Sequence, residues 1–546
     1  MSAHLWRIFG GLKLPGFKSM SMSQETQSAT LPKKLTLPLK QHIGHAAEAI
    51  VKVGDTVLKG QMIASAKDYV STPVHAPSSG KVIAIEKHLV PHPSGIPTDC
   101  IVIETDGEEK WTECKTNTNY RMLEPNEVRD IIRDAGIVGL GGAGFPSFIK
   151  LSPGSNLVKT LILNGAECEP YITCDAMLMQ EQSRKIIDGL NIMRHALQVE
   201  QCVIAIEDNK KVAYEKLVEA LQDHEADYIE IIQVPTLYPA GGEKQLIKTI
   251  TGKEVPSHGL PINIGVVCHN VATAAAIATA VLEGKPLISR YVTITGEGIK
   301  QPRNLNVLLG TAFSDLIDTC GRNNKDAQFI IGGPMMGFEV SSDNIPVIKT
   351  SNCMLVKAKE IKPEFVMPCI RCGKCAEVCP AQLLPQQLYW YARAKNFDKT
   401  QDYNVFDCIE CGCCSYVCPS HIPLVQYYRF AKTEIYALEE EKKNSDIARQ
   451  RHEFRQFRME RKKAENEERK RQKRELLKKV SGDKTSSDKT GREDAKKAAI
   501  DAAMARVKAK REAQSITPEN TTNLTEQQQK SIAEIDSRRK QEKENS

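Results

Sequence analysis

Cys369-Ile-Arg-Cys-Gly-Lys-Cys-Ala-Glu-Val-Cys-Pro380 and Cys408-Ile-Glu-Cys-Gly-Cys-Cys-Ser-Tyr-Val-Cys-Pro419 decide how this chain is organised. Both follow C-x2-C-x2-C-x3-C-P, the bacterial spacing that holds a [4Fe–4S] cluster. Three cysteines of each run close on one cube, and the fourth reaches across to the other. The expected ligand sets are Cys369, Cys372, Cys375 and Cys418 for one cluster, and Cys408, Cys411, Cys414 and Cys379 for the other. Gly373 and Gly412 let the loops pass close to the sulfides. Pro380 and Pro419 fix the backbone where each loop ends. Structural zinc takes CxxC pairs set further apart, and a disulfide framework needs an oxidising compartment and usually a short chain. Cys413, opposite Lys374 of the first run, is read as a spectator. Adjacent clusters without an acid–base pair imply electron relay, so no catalytic side chain is expected.

The chain has 546 residues, enough for several domains. Lys plus Arg number 74 against 68 Asp plus Glu, and a net charge of only +6 gives no reason to expect a nucleic-acid partner. The cysteines outside the two runs are scattered, which suits a reducing compartment. Residues 1–22 hold no sustained apolar run, so no signal peptide is expected. The most apolar stretch, Ile264 to Leu282, is interrupted by His269, Asn270, Thr273 and Thr279. A spanning helix needs about 20 mostly apolar residues, so this stretch reads as a buried strand and helix, and membrane attachment must come through partners or surface contact.

Residues 1–37 read as a short anchored arm with Phe9-Gly10-Gly11 and Pro15. From 38 to 110 the pattern is of short strands with Gly and Pro turns. Val51 to Val57 reads as one half-buried strand with a Gly-Asp turn, and Val74 to Ile85 as another. These phrases resemble the barrel-sandwich fold of biotinyl and lipoyl carrier domains. A working carrier presents a Lys on the hairpin before the Ala-Pro step. Here that position is Tyr69 and the nearest lysine is Lys67, so the fold is expected to pack or dock rather than to carry.

Pro125 to Gly136 has helical spacing, with Pro125 suiting a first turn and Gly136 a stop. Gly139-Leu-Gly-Gly-Ala-Gly-Phe-Pro-Ser-Phe-Ile-Lys150 follows. It satisfies G-x-G-x-x-G but comes after a helix, whereas a Rossmann loop follows a strand. Its glycines permit close backbone approach, and N–H groups ahead of the helix that Pro146 would open make an anion site, with Lys150 in reach of the same charge. A tight structural turn is the alternative. Thr160 to Asn164 reads as a buried strand ending in polar residues, where ligands bind in open α/β sheets. Residues 181–200 and 210–222 read as helices, and Gln201–Ile206 and Ile229–Val234 as strands, an α/β alternation. Tyr238-Pro-Ala-Gly-Gly-Glu243 turns into a further helix, and Gly265 to Thr273 ends one more strand in polar residues before an Ala-rich helix.

At residues 139–273 the chain resembles the flavin- and NADH-binding subunit of respiratory complex I and its relatives. The shared segments are Gly-Gly-Ala-Gly-Phe-Pro (Gly141 to Pro146), Asn-x-x-Glu-x-Glu-Pro (Asn164, Glu167, Glu169, Pro170), Tyr-x-x-Gly-x-Glu (Tyr238, Gly241, Glu243) and Asn-Val-x-Thr (Asn270, Val271, Thr273). Leu140 stands where that family often has Arg, and Ala166 where it has Asp; Gly242 and Lys244 also differ. With the carrier-like domain before it and the tandem runs after it, the chain over roughly residues 9–435 resembles the C-subunit family of Rnf (Rsx) ion-translocating electron transport complexes. The complex I subunit has a single cluster run.

That resemblance implies FMN, NAD(H) and two [4Fe–4S] clusters as cofactors. It implies a site of Gly139, Gly141, Gly142, Gly144, Phe145, Lys150, Asn164, Glu167, Glu169, Tyr238, Gly241, Glu243, Asn270 and Thr273. Gly141, Gly142 and Lys150 would hold the FMN phosphate, Asn164 and Asn270 the flavin ring or ribityl chain, and Phe145, Glu169 and Glu243 the nicotinamide side. Hydride passed from NADH to FMN would leave as single electrons through the clusters to the B-type iron–sulfur subunit of the complex. The chain would be one of six kinds of subunit, peripheral on the cytoplasmic side of the bacterial inner membrane. The alternatives are a flavin-free electron-carrying scaffold and a subunit of a soluble NAD-linked hydrogenase or formate dehydrogenase.

The expected fold is therefore α/β and multidomain: arm 1–37, barrel-sandwich-like domain 38–110, FMN/NADH-binding α/β domain 120–285, β-grasp-like domain 286–345, tandem-cluster ferredoxin-like helical domain 360–432, and a charged helical and disordered tail 433–546. Tyr291–Thr295 alternates as a strand, and Ala312–Cys320 reads as a helix. Gly332 to Gly337 reads as a structural turn, with a cap over the flavin or a cluster as the alternative. The tail, with basic clusters such as Arg469 to Arg474, reads as a solvated helix, a linker from Val480, an Ala-spaced helix over 493–513, and disorder over 515–546. Anionic lipid or partner subunits are its alternative contacts.

Overall fold

The computed structural model describes residues 4–154, 157–222, 227–323, 327–358, 365–481 and 500–506. It divides into two compact units, residues 1–441 and 442–546. In the first, four antiparallel strands run in the order Lys34–Pro38, Thr98–Thr105, Gly80–His88, Thr56–Val57, and three more in the order Glu48–Ala49, Met62–Ser65, Val74–His75. Leu35 and Leu37 alternate inward to meet Ile103 and Ile101 in register, and all four are fully buried. Two expected strands are shorter than read. Within Val51–Val57 only Thr56–Val57 is strand, because Gly54 at φ +101° makes the turn and Val53 stays exposed. The stretch from Val74 breaks after His75 and resumes at Gly80, where Pro77 cannot donate to a ladder.

The α/β domain carries a four-stranded parallel sheet in the order Ile229–Val234, Gln201–Glu207, Thr160–Gly165, Val266–Asn270. Numbered along the chain, that order is 3-2-1-4, so the winding reverses between Thr160–Gly165 and Val266–Asn270. The strands are nearly continuous apolar runs because helices cover both faces. The helix read over 181–200 runs Ser183–Leu197, and a separate helix, Cys174–Glu181, precedes it across a break at Gln182. The apolar stretch from Ile264 resolves into strand Val266–Asn270 and helix Val271–Glu283. No helix among the described residues is long and apolar enough to cross a membrane.

A six-stranded mixed sheet follows: Gln27–Ser28, Arg303–Leu308, Ser289–Thr295, Cys353–Ala358, Ala327–Ile331, Phe338–Val340, with helix Phe313–Cys320 packed on it. Its central strand, Cys353–Ala358, lies beyond the expected boundary at 345. Its first edge strand comes from the arm. The arm is threaded through the unit rather than loosely anchored. Trp6 N donates to Thr249 O (2.9 Å), Gly11 N to Val378 O (3.0 Å) and Leu12 N to Tyr238 O (2.7 Å). A Cβ on Gly10 would lie 2.6 Å from Val378 O, so only glycine lets the arm pass there.

The cysteine runs sit among short helices, with Leu388, Val405, Ile422 and Tyr428 as their core. The two loops are backbone copies. Arg371 and Glu410 have φ 57° and 58°, and Gly373 and Gly412 both have φ 82°. A long helix, Leu424–Ser481, follows. In the second unit its described side chains are exposed except for half-buried Asp446, and i,i+4 pairs such as Arg461–Glu465 line its surface. Residues 500–506 are helical. The rest of the linker read from Val480, the remainder of 493–513, and 515–546 lie outside the described residues.

Candidate functional site

The reversal of the α/β sheet places two asparagines side by side. Asn164 and Asn270 are register partners at the carboxyl ends of adjacent parallel strands, which is where open α/β sheets bind ligands. Asn164 Nδ2 donates to Gly241 O (2.8 Å), and its Oδ1 accepts from Ala166 N (3.0 Å). Asn270 Oδ1 accepts from Ala272 N (2.8 Å), capping helix Val271–Glu283. Its Nδ2 donates to Asp175 Oδ2 (2.6 Å).

The glycine loop lies over the start of that same helix. Leu140 N donates to Thr273 Oγ1 (3.0 Å), and a Cβ on Gly141 would meet Asn270 at 3.3 Å. The loop closes on itself through Gly139 N to Phe145 O (2.8 Å) and Gly144 N to Gly139 O (3.1 Å). Gly141, Gly142 and Ala143 are exposed at its tip, with open space beside Gly142 at φ +104°. A backbone cradle without side chains, set at a helix N-terminus, fits a phosphate-bearing group such as FMN. The sequence places that helix directly after the loop, but only Ser147–Lys150 follows there. The longer helix arrives from Val271, a pairing that sequence separation conceals.

Several residues assigned to the site have other partners. Lys150 Nζ bonds Glu243 Oε1 and Cys268 O, both at 2.6 Å. The two side chains assigned to opposite ends of the ligand thus form one ion pair. Glu167 turns inward. Its Oε1 accepts from Asp175 N (2.8 Å) at the start of helix Cys174–Glu181. Burial pushes its pKa up to about 7, opposed by the nearby cations of Lys18 and Lys210. Glu169 Oε1 accepts from Met335 N (2.7 Å) and Met336 N (3.1 Å), and burial also raises its pKa. The turn at 332–337 therefore docks between this carboxylate and the second cysteine run. A Cβ on Gly333 would strike Glu169, and one on Gly412 would meet Met335 O. Tyr238 is buried and its hydroxyl donates to Cys411 O (2.5 Å). Phe145 is half-buried.

The cysteines gather in two groups. One small cavity is lined by Cys369, Cys372, Cys375 and Cys418, and a second by Cys379, Cys408, Cys411 and Cys414. Each cavity draws three thiols from one run and one from the other. All are free thiols, a soft donor set suited to iron–sulfur clusters. The surroundings differ. The second cavity is packed under Tyr238, Met335 and Leu12, and Cys413, fully buried, also lines it. The first opens at exposed Cys372 and Ile370. A cavity of ≈ 430 Å³ lies elsewhere. Lys59, Trp111, Leu140, Lys185 and Arg290 line it, and none of the residues assigned to the flavin site does.

Four family models match the chain. They are the RnfC barrel sandwich hybrid domain over residues 6–108, the Nuo51 FMN-binding domain over 132–279, the SLBB domain over 291–339 and the 4Fe-4S dicluster domain over 368–422. The chain therefore carries an FMN-binding domain and a two-cluster domain. Three similar proteins are each named as the C subunit of an ion-translocating oxidoreductase complex. The one from Vibrio cholerae serotype O1 is 45% identical over 93% of this chain and 65% of its own length. The one from Serratia proteamaculans is 44% identical over 93% of this chain and 70% of its own length. The one from Yersinia pestis bv. Antiqua is 44% identical over 85% of this chain and 75% of its own length. The chain thus spans a little under two thirds of the Vibrio relative. With the domain order, the switch-point asparagines and the paired cysteine runs in place, these identities show that the chain belongs to the C-subunit family of ion-translocating oxidoreductase complexes.

Proposed function

We propose that this chain takes electrons from NADH and delivers them singly, through two clusters, to the B-type iron–sulfur subunit of a membrane complex that moves ions. The observation that carries this reading is the switch point. Asn164 and Asn270 are paired beneath a glycine loop, and Tyr238 ties that region to the second cysteine run at 2.5 Å. Bound FMN would supply the conversion between two-electron hydride chemistry and single-electron transfer, and the clusters would carry the single electrons.

The protein's part is to bind, orient and connect. Gly141, Gly142 and the start of helix Val271–Glu283 would hold the phosphate of FMN. Asn164 and Asn270, each fixed by a backbone partner, would orient the ring system. The Lys150–Glu243 pair would border the ring as a neutral unit rather than as a free cation. Glu169 and Tyr238 hold the 332–337 turn and the second run against the site, which keeps water out of the gap between flavin and cluster. The buried set Cys379, Cys408, Cys411 and Cys414 would then receive electrons first, and the open set Cys369, Cys372, Cys375 and Cys418 would release them. Leu140 is 3% exposed and faces the separate cavity, so the missing Arg there takes no contact from the loop's open side. That weakens the flavin-free alternative.

The partners in this reading are the other members of a six-subunit complex, with the chain peripheral on the cytoplasmic face of the inner membrane. The test is anaerobic reduction of the flavin- and iron-loaded chain by NADH, followed optically and by EPR. Flavin bleaching followed by two cubane signals supports the reading. An NADH-inert flavin, or only one cubane signal, overturns it.

A further inference from the structure

We propose that Tyr69 supplies the stacking face for the adenine of NADH, which makes the barrel-sandwich domain part of the nucleotide site. This rests on the NADH reading above. Tyr69 occupies the hairpin position at which a carrier domain would hold its modified lysine, between strands Met62–Ser65 and Val74–His75. That hairpin is tied to the glycine loop through the segment 43–45. His45 N donates to Val70 O and Ile43 N donates to Gly144 O, both at 3.0 Å. Gly44 makes this link possible, because at φ +113° an added Cβ would lie 2.1 Å from Val70 O.

The ring of Tyr69 stands edge-on to Phe148 at 5.9 Å and 81°. Phe148 is buried in the short helix that closes the loop. Yet Tyr69 itself is 68% exposed. A ring with one aromatic neighbour and two thirds of its surface open to solvent offers a partly preorganised stacking surface, since less freedom remains to be lost on binding.

The loop also has two flanks. Gly141 faces Asn270, and Gly144 faces His42 and Ile43 of the barrel-sandwich domain. A dinucleotide with its nicotinamide against the flavin held at the Asn164–Asn270 end, running past the Gly144 flank, lays its distal base beside Tyr69. Purines stack on aromatic rings without needing specific hydrogen bonds, so a lone tyrosine suffices there.

The test uses the full chain loaded with FMN and iron, with Tyr69→Ala and Tyr69→Phe variants matched for flavin content. Flavin bleaching is followed in stopped flow with NADH and with reduced nicotinamide mononucleotide, which lacks the adenosine half. For Tyr69→Ala the half-saturating NADH concentration is expected to rise about five- to tenfold, the lower range for base stacking, with the limiting rate unchanged. Tyr69→Phe is expected to restore it, and the mononucleotide to react alike with all three proteins. As a readout without turnover, Tyr69→Trp fluorescence is expected to be quenched by ADP-ribose. Unchanged NADH saturation in Tyr69→Ala, an equal shift with the mononucleotide, or no quenching overturns the proposal. If NADH fails to bleach flavin in the unmodified chain, the parent reading falls and this one with it.

Discussion

Lys349 is fully buried and has no carboxylate partner among the described residues. Its Nζ donates to Pro73 O (2.8 Å), Gly136 O (2.7 Å) and Thr72 Oγ1 (3.4 Å), pinning three domains together. Burial lowers its pKa to about 7, whereas an unfolded lysine titrates near about 10.4. Between these values the unfolded chain binds more protons, so this group makes stability rise with pH across that window. In Lys349→Met the rise, at most about 1.4 kcal/mol per pH unit, is expected to vanish from denaturation midpoints measured between pH 7 and 10. Tyr238→Phe removes one buried hydroxyl and leaves Cys411 O without its donor. A loss of about 1–3 kcal/mol in the same assay is expected, with flavin and iron content retained. The place of Asn164 and Asn270 at the polar ends of buried strands is legible from their motifs. The inward turn of Glu167 and the Lys150–Glu243 pair are not, because partners 8 and 93 positions away decide where those charges point.

Among the structural elements, the duplicated cysteine loops are the most legible. Spacing alone sets their backbone, down to matching positive φ at Arg371 and Glu410. The crossing of the fourth cysteine between runs can be tested directly. Cys379→Ala lies in the first run, yet it is expected to abolish the EPR signal of the cluster held by the second run and to leave the other intact. The turn at 332–337 behaves differently. Its glycines suggest a structural turn, but Glu169 draws it between the flavin site and the buried cavity. Gly333→Ala would place a methyl 2.2 Å from Glu169 Cγ. Overpacking of this kind costs about 1–3 kcal/mol. The expected result is normal flavin reduction by NADH and slowed electron arrival at the clusters, read by rapid-freeze EPR. Strand Cys353–Ala358 escapes a sequence reading because it pairs with strands far along the chain on either side, and no local period reports that.

Across the full chain, the first unit holds every residue assigned to cofactor binding. The described side chains of the second unit are, but for half-buried Asp446, exposed along a charged helix. Truncation after Glu441 is therefore expected to leave flavin, iron content and NADH reduction unchanged, as measured on the purified chain. Any affinity for anionic vesicles carried by Arg469 to Arg474 is expected to go with the tail.

The chemistry this protein can hold is written in its residue order: two duplicated cysteine loops, a glycine loop and polar strand ends. Each depends on neighbours within a few residues, where covalent spacing leaves few alternatives. How these parts connect is a property of the folded chain. Folding brings Asn164 beside Asn270, sets one cysteine cavity under Tyr238 while leaving the other open, and ties the Tyr69 hairpin to the glycine loop through residues 43–45. Such contacts join residues tens to hundreds of positions apart, and they are selected by burial and packing throughout the first unit rather than by any local pattern.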